Sequence, residues 1–337
     1  MAQRPGRRRL IAYSAVGLFL LIDAMLITGA LTSTSVDAAV DASSESAASA
    51  SVFPTPSATT SATPARTAEP TVTPVPAVRL LSAASGTAAW RATTGGCPTT
   101  SAAPEFSTDS GATWITTDAT GPTDVAALQS INALSESVAE FVGLDGETCA
   151  PQFVKTFVGG DNYSSYPRQL DTAWYVDPTD RSEVHGPDGF QPAPCDAIVA
   201  LSAGSADDGA AVLCADARIF ATTDAAASWS APLTVVGALT LTATDGGYSA
   251  FAAGAATDGA TPTDAADPTV CLGLSVIELS LDTIGGDLTA TTSGCYVTDE
   301  APAVLAGNIA VAAADSTLWL WIGDATVRST DAGRTWL

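Results

Sequence analysis

Basic residues are scarce in this chain: 13 Lys+Arg face 36 Asp+Glu and a single His, so the formal charge is −23 and the pI about 4.1. Such a surface repels phosphate backbones, which excludes nucleic acid as a partner. Aromatic residues make up only 7% although hydrophobic residues reach 46%. Much of the apolar content is therefore Ala, as in a soluble domain rather than a polytopic membrane protein. No two cysteines have CxxC spacing, and with His185 as the sole histidine a zinc site is disfavoured. HExxH, nucleophile-elbow and phosphate-loop patterns are missing as well. The expectation is a monomer with no evident catalytic residue, no metal ligand and no cofactor.

The one long apolar run is Leu10–Leu31, behind Arg4, Arg7, Arg8 and Arg9. About 20 residues cross a bilayer core as a helix, whereas the apolar part of a cleavable signal runs to about 7 to 15. Residues 10–31 therefore read as a transmembrane signal-anchor. Asp23 within the run and the small residues Thr28-Gly29-Ala30 support the alternative, a signal peptide whose cleavage secretes the rest. The arginines make residues 1–9 a cytoplasmic basic tail and place everything after Leu31 outside a bacterial plasma membrane crossed once. Residues 32–76 are Ala, Ser, Thr and Pro with hardly an aromatic. They bury too little apolar surface to offset the entropy of ordering and read as a disordered stalk. Residues 77–337 are the extracellular domain, and from residue 79 onward the chain holds 31 acids and 8 bases.

All six cysteines, Cys97, Cys149, Cys195, Cys214, Cys271 and Cys295, fall in that outer part, where disulfides are the natural reading. Six cysteines allow 15 connectivities, among which the sequence does not choose. Pairing in chain order puts one bridge in each of three neighbourhoods.

Self-comparison gives three octads: Ser107-Thr-Asp109-Ser-Gly111-Ala-Thr-Trp114, Thr222-Thr-Asp224-Ala-Ala-Ala-Ser-Trp229 and Ser329-Thr-Asp331-Ala-Gly333-Arg-Thr-Trp336. Each reads as a hairpin turn. Hydroxyl and carboxylate bond nearby amides, Gly permits a positive φ, and Trp packs the following strand. The pattern resembles the Asp-box (bacterial neuraminidase repeat) of sialidase-like β-propellers, with Ala226 and Ser228 departing from it in the middle copy. The resemblance implies an all-β propeller and says little about activity. The same box occurs on sialidases, sortilin-type receptors and photosystem II assembly factors, and in that superfamily it is structural.

Strand-like runs flank the octads, at Val78–Ala84, Thr87–Thr94, Asp196–Ala203, Ala210–Ala215, Asn308–Asp315 and Thr317–Asp324. The octads lie too far apart for single blades of about 40 to 50 residues, so each gap holds at least one degenerate blade. Turns at Asp161 and Asp282 fill the gaps and give five blades, with six or seven if Asp171–Phe190 makes one of its own. Val125–Phe141 also fits helical spacing, but repeat context makes it strand. The outer strand of the final blade is either cut short at Leu337 or supplied from before Val78.

A sialidase-like site, as the resemblance implies it, needs an arginine triad, a Tyr/Glu pair and an acidic proton donor. The domain has only Arg79, Arg91, Arg168, Arg181, Arg218, Arg328 and Arg334, and no residue carries over as catalytic. Strand tryptophans read as packing, and Asp177–Asp180 as a solvated turn. Anchor, stalk and propeller together point to a cell-surface binding or scaffolding module for an envelope protein or glycan. The alternative is a divergent glycan-active hydrolase.

Overall fold

The computed structural model describes residues 72–254, 271–282 and 286–337. The expected tail, anchor and stalk lie, up to residue 71, outside the described residues. Among the described residues no helix is long and apolar enough to cross a membrane.

The described strands form six sheets. Blade 1 is β1 (Arg79–Ala83), β2 (Ala89–Thr93), β3 (Glu105–Ser107) and β4 (Ile115–Thr116). Blade 2 is β5 (Val125–Ala133), β6 (Ala139–Asp145), β7 (Pro151–Thr156) and β8 (Ser164–Ser165). Blade 3 has β9 (Tyr175–Val176), β10 (Glu183–Gly186) and β11 (Gly189–Pro192). Blade 4 is β12 (Ile198–Ala203), β13 (Ala210–Cys214), β14 (Arg218–Thr222) and β15 (Leu233–Thr234). Blade 5 is β16 (Ala238–Thr244), β17 (Gly247–Ala253), β18 (Gly273–Leu281) and β19 (Leu288–Val297). Blade 6 is β20 (Ile309–Ala314), β21 (Thr317–Ile322) and β22 (Ala325–Ser329), and Leu337 exchanges backbone hydrogen bonds with Arg328 where a fourth strand begins. Every pairing is antiparallel between chain neighbours, and the first strands of successive blades adjoin around a ring in which β1 meets β20. This is a β-propeller.

Six blades replace the expected five. The added one is blade 3, in the Asp171–Phe190 stretch that was the alternative for a further blade; it has no octad and only short strands. Its direction is unusual too. The Trp174 indole donates to Asp207 O in the first hairpin of blade 4, while Arg181 O accepts from Ile198 N at the start of β12. So β9 runs against β12 and corresponds to a second strand. A 3-10 helix, Pro167–Thr172, precedes it, and Gln169 and Thr172 line the axis where the other blades present a first strand. The run from Val125 to Phe141 is strand, as repeat context requires, because β5 and β6 each bury one face against neighbouring blades.

Side-chain packing confirms the count: six apolar clusters sit one at each blade junction. Trp90, Phe141, Val154 and Tyr163 fill the junction of blades 1 and 2. Leu213, Ile219, Ile277 and Leu279 fill that of blades 4 and 5. The junctions of blades 2 with 3 and of 6 with 1 are thin, with three buried residues in each cluster. The disulfides join Cys97 to Cys149, Cys195 to Cys214 and Cys271 to Cys295, in chain order. Their loops span 52, 19 and 24 residues, each worth about 3 to 4 kcal/mol on the loop-entropy account. Every sheet, apolar cluster and bridge of the described residues lies within the compact unit Arg66–Leu337.

Candidate functional site

Alternating strands give the ring two faces. On the octad face lie the first hairpins and the octads. The opposite, connection face carries the second-to-third-strand loops and the links between blades.

The octads share one hydrogen-bond pattern. In the first, Asp109 Oδ1 accepts from Ser107 Oγ at 2.8 Å and Thr113 N at 2.9 Å, Oδ2 accepts from Thr113 Oγ1 at 2.6 Å, and Ser107 Oγ accepts from Gly111 N at 2.9 Å. Thr222, Asp224, Ala226 and Ser228 repeat it, as do Ser329, Asp331, Gly333 and Thr335. Hydrogen bonds from Thr113 hold the Asp109 carboxyl down at about 2, and those from the Thr335 amide and hydroxyl do the same for Asp331. The Trp114 and Trp336 indoles donate to the carbonyls of Gly111 and Gly333. Trp229 finds no such partner among the described residues.

Each octad is also a wedge against the preceding blade, a role its sequence does not announce. A Cβ on Gly333, whose φ is +83°, would meet Val276 of blade 5, and one on Gly111, at +82°, would meet Trp319 of blade 6. The corresponding Ala226 has φ +68° and buries its methyl with Val184 of blade 3. Blade 2 has a degenerate copy, Thr156-Phe-Val158-Gly-Gly160-Asp-Asn162-Tyr163. Thr156 Oγ1 accepts from Gly160 N at 3.0 Å, and Tyr163 takes the Trp position with its hydroxyl 2.6 Å from Thr117 Oγ1. Asp161 is therefore not the turn aspartate, because Val158 stands in that place. The β18–β19 turn does begin at Asp282, whose backbone N bonds Asp287 O.

Three of the arginines gather at the closing junction. Arg79 donates to Gly323 O at 2.6 Å and lies over the Trp321 ring. Arg91 pairs with Glu105 at 2.6 Å, donates to Thr326 Oγ1 at 3.0 Å and is sandwiched by Trp114 and Trp321. Arg328 donates to Gly86 O at 2.6 Å over Trp319. These side chains do the work of a shared strand and are spent on structure rather than on an anion site.

The central channel has a volume of about 1010 Å³. Ala is the commonest residue of its wall, and neighbouring first strands are stitched where Ser82 Oγ accepts from Ala133 N at 3.0 Å and Ser202 Oγ from Ala243 N at 2.7 Å. Glu140 in the wall is neutralised by Lys155 at 2.7 Å. Trp174, Tyr175, Asp207 and Asp208 line it beside blade 3. His185 is buried between Tyr175 and Phe190, with Nδ1 2.8 Å from Ala173 O. Asp177 and Asp180 accept from the Thr179 and Ser182 amides as turn formers. Among the described residues no acid, His or Cys cluster is arranged to hold a metal ion.

The connection face carries an arc of exposed aliphatic residues: Val75, Val78, Val236, Leu272, Val297 and Val304, which are 42% to 70% exposed. Backbone bonds place its members along one edge of the ring. Ala253 N donates to Gly237 O, Gly254 N to Gly273 O and Thr298 N to Leu272 O, which sets Leu272 beside Val297 and puts Val236 at the same end of blade 5, beyond the end of β17. Asn308 bonds Val304 O and Val78 N bonds Gly307 O, which carries the arc on to the start of blade 1.

Neither a family model nor a curated protein sequence matches the chain. Among solved structures it is similar to YCF48 from Cyanidioschyzon merolae, with 14% identity and a TM-score of 0.38 over 79% of this chain and 86% of that one. YCF48 bound to D1 peptide gives 14% and 0.28 over 79% and 81%. An ancestral GH74 enzyme gives 10% and 0.39 over 79% and 47%, so the chain spans less than half of that enzyme. The propeller itself rests on the sheet order above.

Proposed function

We propose that this protein is a binding or scaffolding module that docks a partner protein on the connection face of blades 5, 6 and 1. The three octads are taken as Asp-boxes that wedge the blades. Residues 10–31 hold the propeller outside a bacterial plasma membrane, and residues 32–76 space it from the surface. The observation that carries the reading is the exposed aliphatic arc, since exposed apolar residues gathered on one face of a domain mark an interaction site. A photo-crosslinking residue at Val236 or Val297 in the source cells is expected to trap one discrete protein, and the same residue at Ser316 on the octad face to trap none. Equal products from all three positions, or none from the arc, would overturn it.

A glycan-active reading draws on a different observation, the polar channel beside blade 3 with Trp174, Tyr175, Asp207 and Asp208 in its wall. Envelope glycans shortened by the native chain and left intact by Asp207→Asn/Asp208→Asn would favour it over docking.

A further inference from the structure

The charge on the docking half of the ring is one-sided. No Lys, Arg or His occurs between Arg218 and Arg328, a stretch that contains all of blade 5 and the first two strands of blade 6. Acids persist through it. Asp299 and Glu300 are both exposed and follow Val297 after Thr298, and Val304 lies four residues beyond Glu300, so two carboxylates interrupt the aliphatic arc. Asp324 lies in the β21–β22 turn on the same face. The base beside the arc, Arg79, is committed to Gly323 O and the Trp321 ring.

Resting on the docking reading above, we infer that the partner segment is amphipathic and cationic, with Leu- or Val-type side chains for the arc and Lys or Arg placed against Asp299 and Glu300. An anionic apolar segment would meet two uncompensated carboxylates at the centre of the contact and no base to offset them, and like charges brought together select against a wrong partner. A purely polar cationic segment would leave the aliphatic surface exposed to water and forgo its burial.

The probes are three fluorescein-labelled 14-residue helical peptides of Leu and Lys, of Leu and Glu, and of Ser and Lys. They are titrated by anisotropy against residues 66–337, the compact unit that holds every sheet and disulfide. The Leu/Lys peptide is expected to bind saturably and to weaken severalfold as salt rises from 0.05 to about 0.3 M. Asp299→Asn/Glu300→Gln should weaken it about tenfold, and Val236→Ser/Val297→Ser should abolish binding. If the Leu/Glu peptide binds as tightly and is also lost in the valine variant, the charge inference falls while the docking reading stands. If the Ser/Lys peptide binds as tightly, or the valine variant changes nothing, both fall.

Discussion

The Trp319 indole of blade 6 donates to the Ser85 carbonyl of blade 1 at 3.1 Å, across the one junction where the chain does not run on from blade to blade. Many rings close by sharing a strand between the first and last blades. Here β1–β4 and β20–β22 belong wholly to their own blades, and the apolar cluster between them is thin. Hydrogen bonds and stacked rings make up the difference.

Arg328→Ala should therefore destabilise the propeller by about 1–3 kcal/mol, because Gly86 O loses a charged donor in a half-buried place. Trp319→Phe keeps the ring and loses the bond to Ser85, for about 1 kcal/mol. Arg218→Ala, which removes an exposed pair with Asp216 in blade 4, should cost less than about 0.5 kcal/mol. Urea denaturation of the three variants checks the order, and equal losses would remove the special status of the junction.

The octad carboxylates predict an acid dependence. Asp109 and Asp331 titrate near 2 in the fold against 3.8 unfolded, so the unfolded chain binds more protons between those values. Their contribution is fully present above pH 3.8 and is lost as pH falls through about 2. Asp109→Asn/Asp331→Asn should lower the melting temperature at pH 7 and flatten its fall between pH 4 and 2. Parallel melting curves for variant and parent over that window would show that the carboxylates do not act through their ionised form.

Blade 2 offers the converse experiment. Val158 and Asn162 occupy the Asp and Thr places of an octad whose other bonds are formed, with Val158 N already 3.4 Å from Thr156 Oγ1 and Gly159 N bonded to Ser137 O. Val158→Asp/Asn162→Thr should complete the pattern and raise stability by about 1 kcal/mol, read as a higher urea midpoint with unchanged slope. Val158→Asp alone should give less, since the hydroxyl partner is missing.

What the sequence disclosed was what is local. An octad is eight consecutive residues whose bonds close on themselves, and Ile309–Ala314 and Thr317–Ile322 are short apolar runs set off by the turn residues Asp315-Ser316 and Gly323-Asp324. Blade 3 was legible only as the alternative at Asp171–Phe190, because Tyr175–Val176 is too short for periodicity and a 3-10 helix replaces a strand. In blade 2 an aspartate drew attention to Asp161, while the Thr156-to-Gly160 bond and Tyr163 marked a register three residues away. The grouping of Arg79, Arg91 and Arg328 had no signal, because nothing in a linear chain says which blades close the ring. The aliphatic arc was equally hidden: its six residues come from five separate segments.

The bridges Cys97–Cys149, Cys195–Cys214 and Cys271–Cys295 all lie toward the connection face, while the three octad carboxylates, Asp109, Asp224 and Asp331, sit on the opposite one. The two poles of the molecule are thus fastened by unrelated chemistries. A reductant slackens the pole that presents the aliphatic arc and leaves the octad turns intact. The redox state of the six cysteines therefore sets how rigid a surface that pole presents.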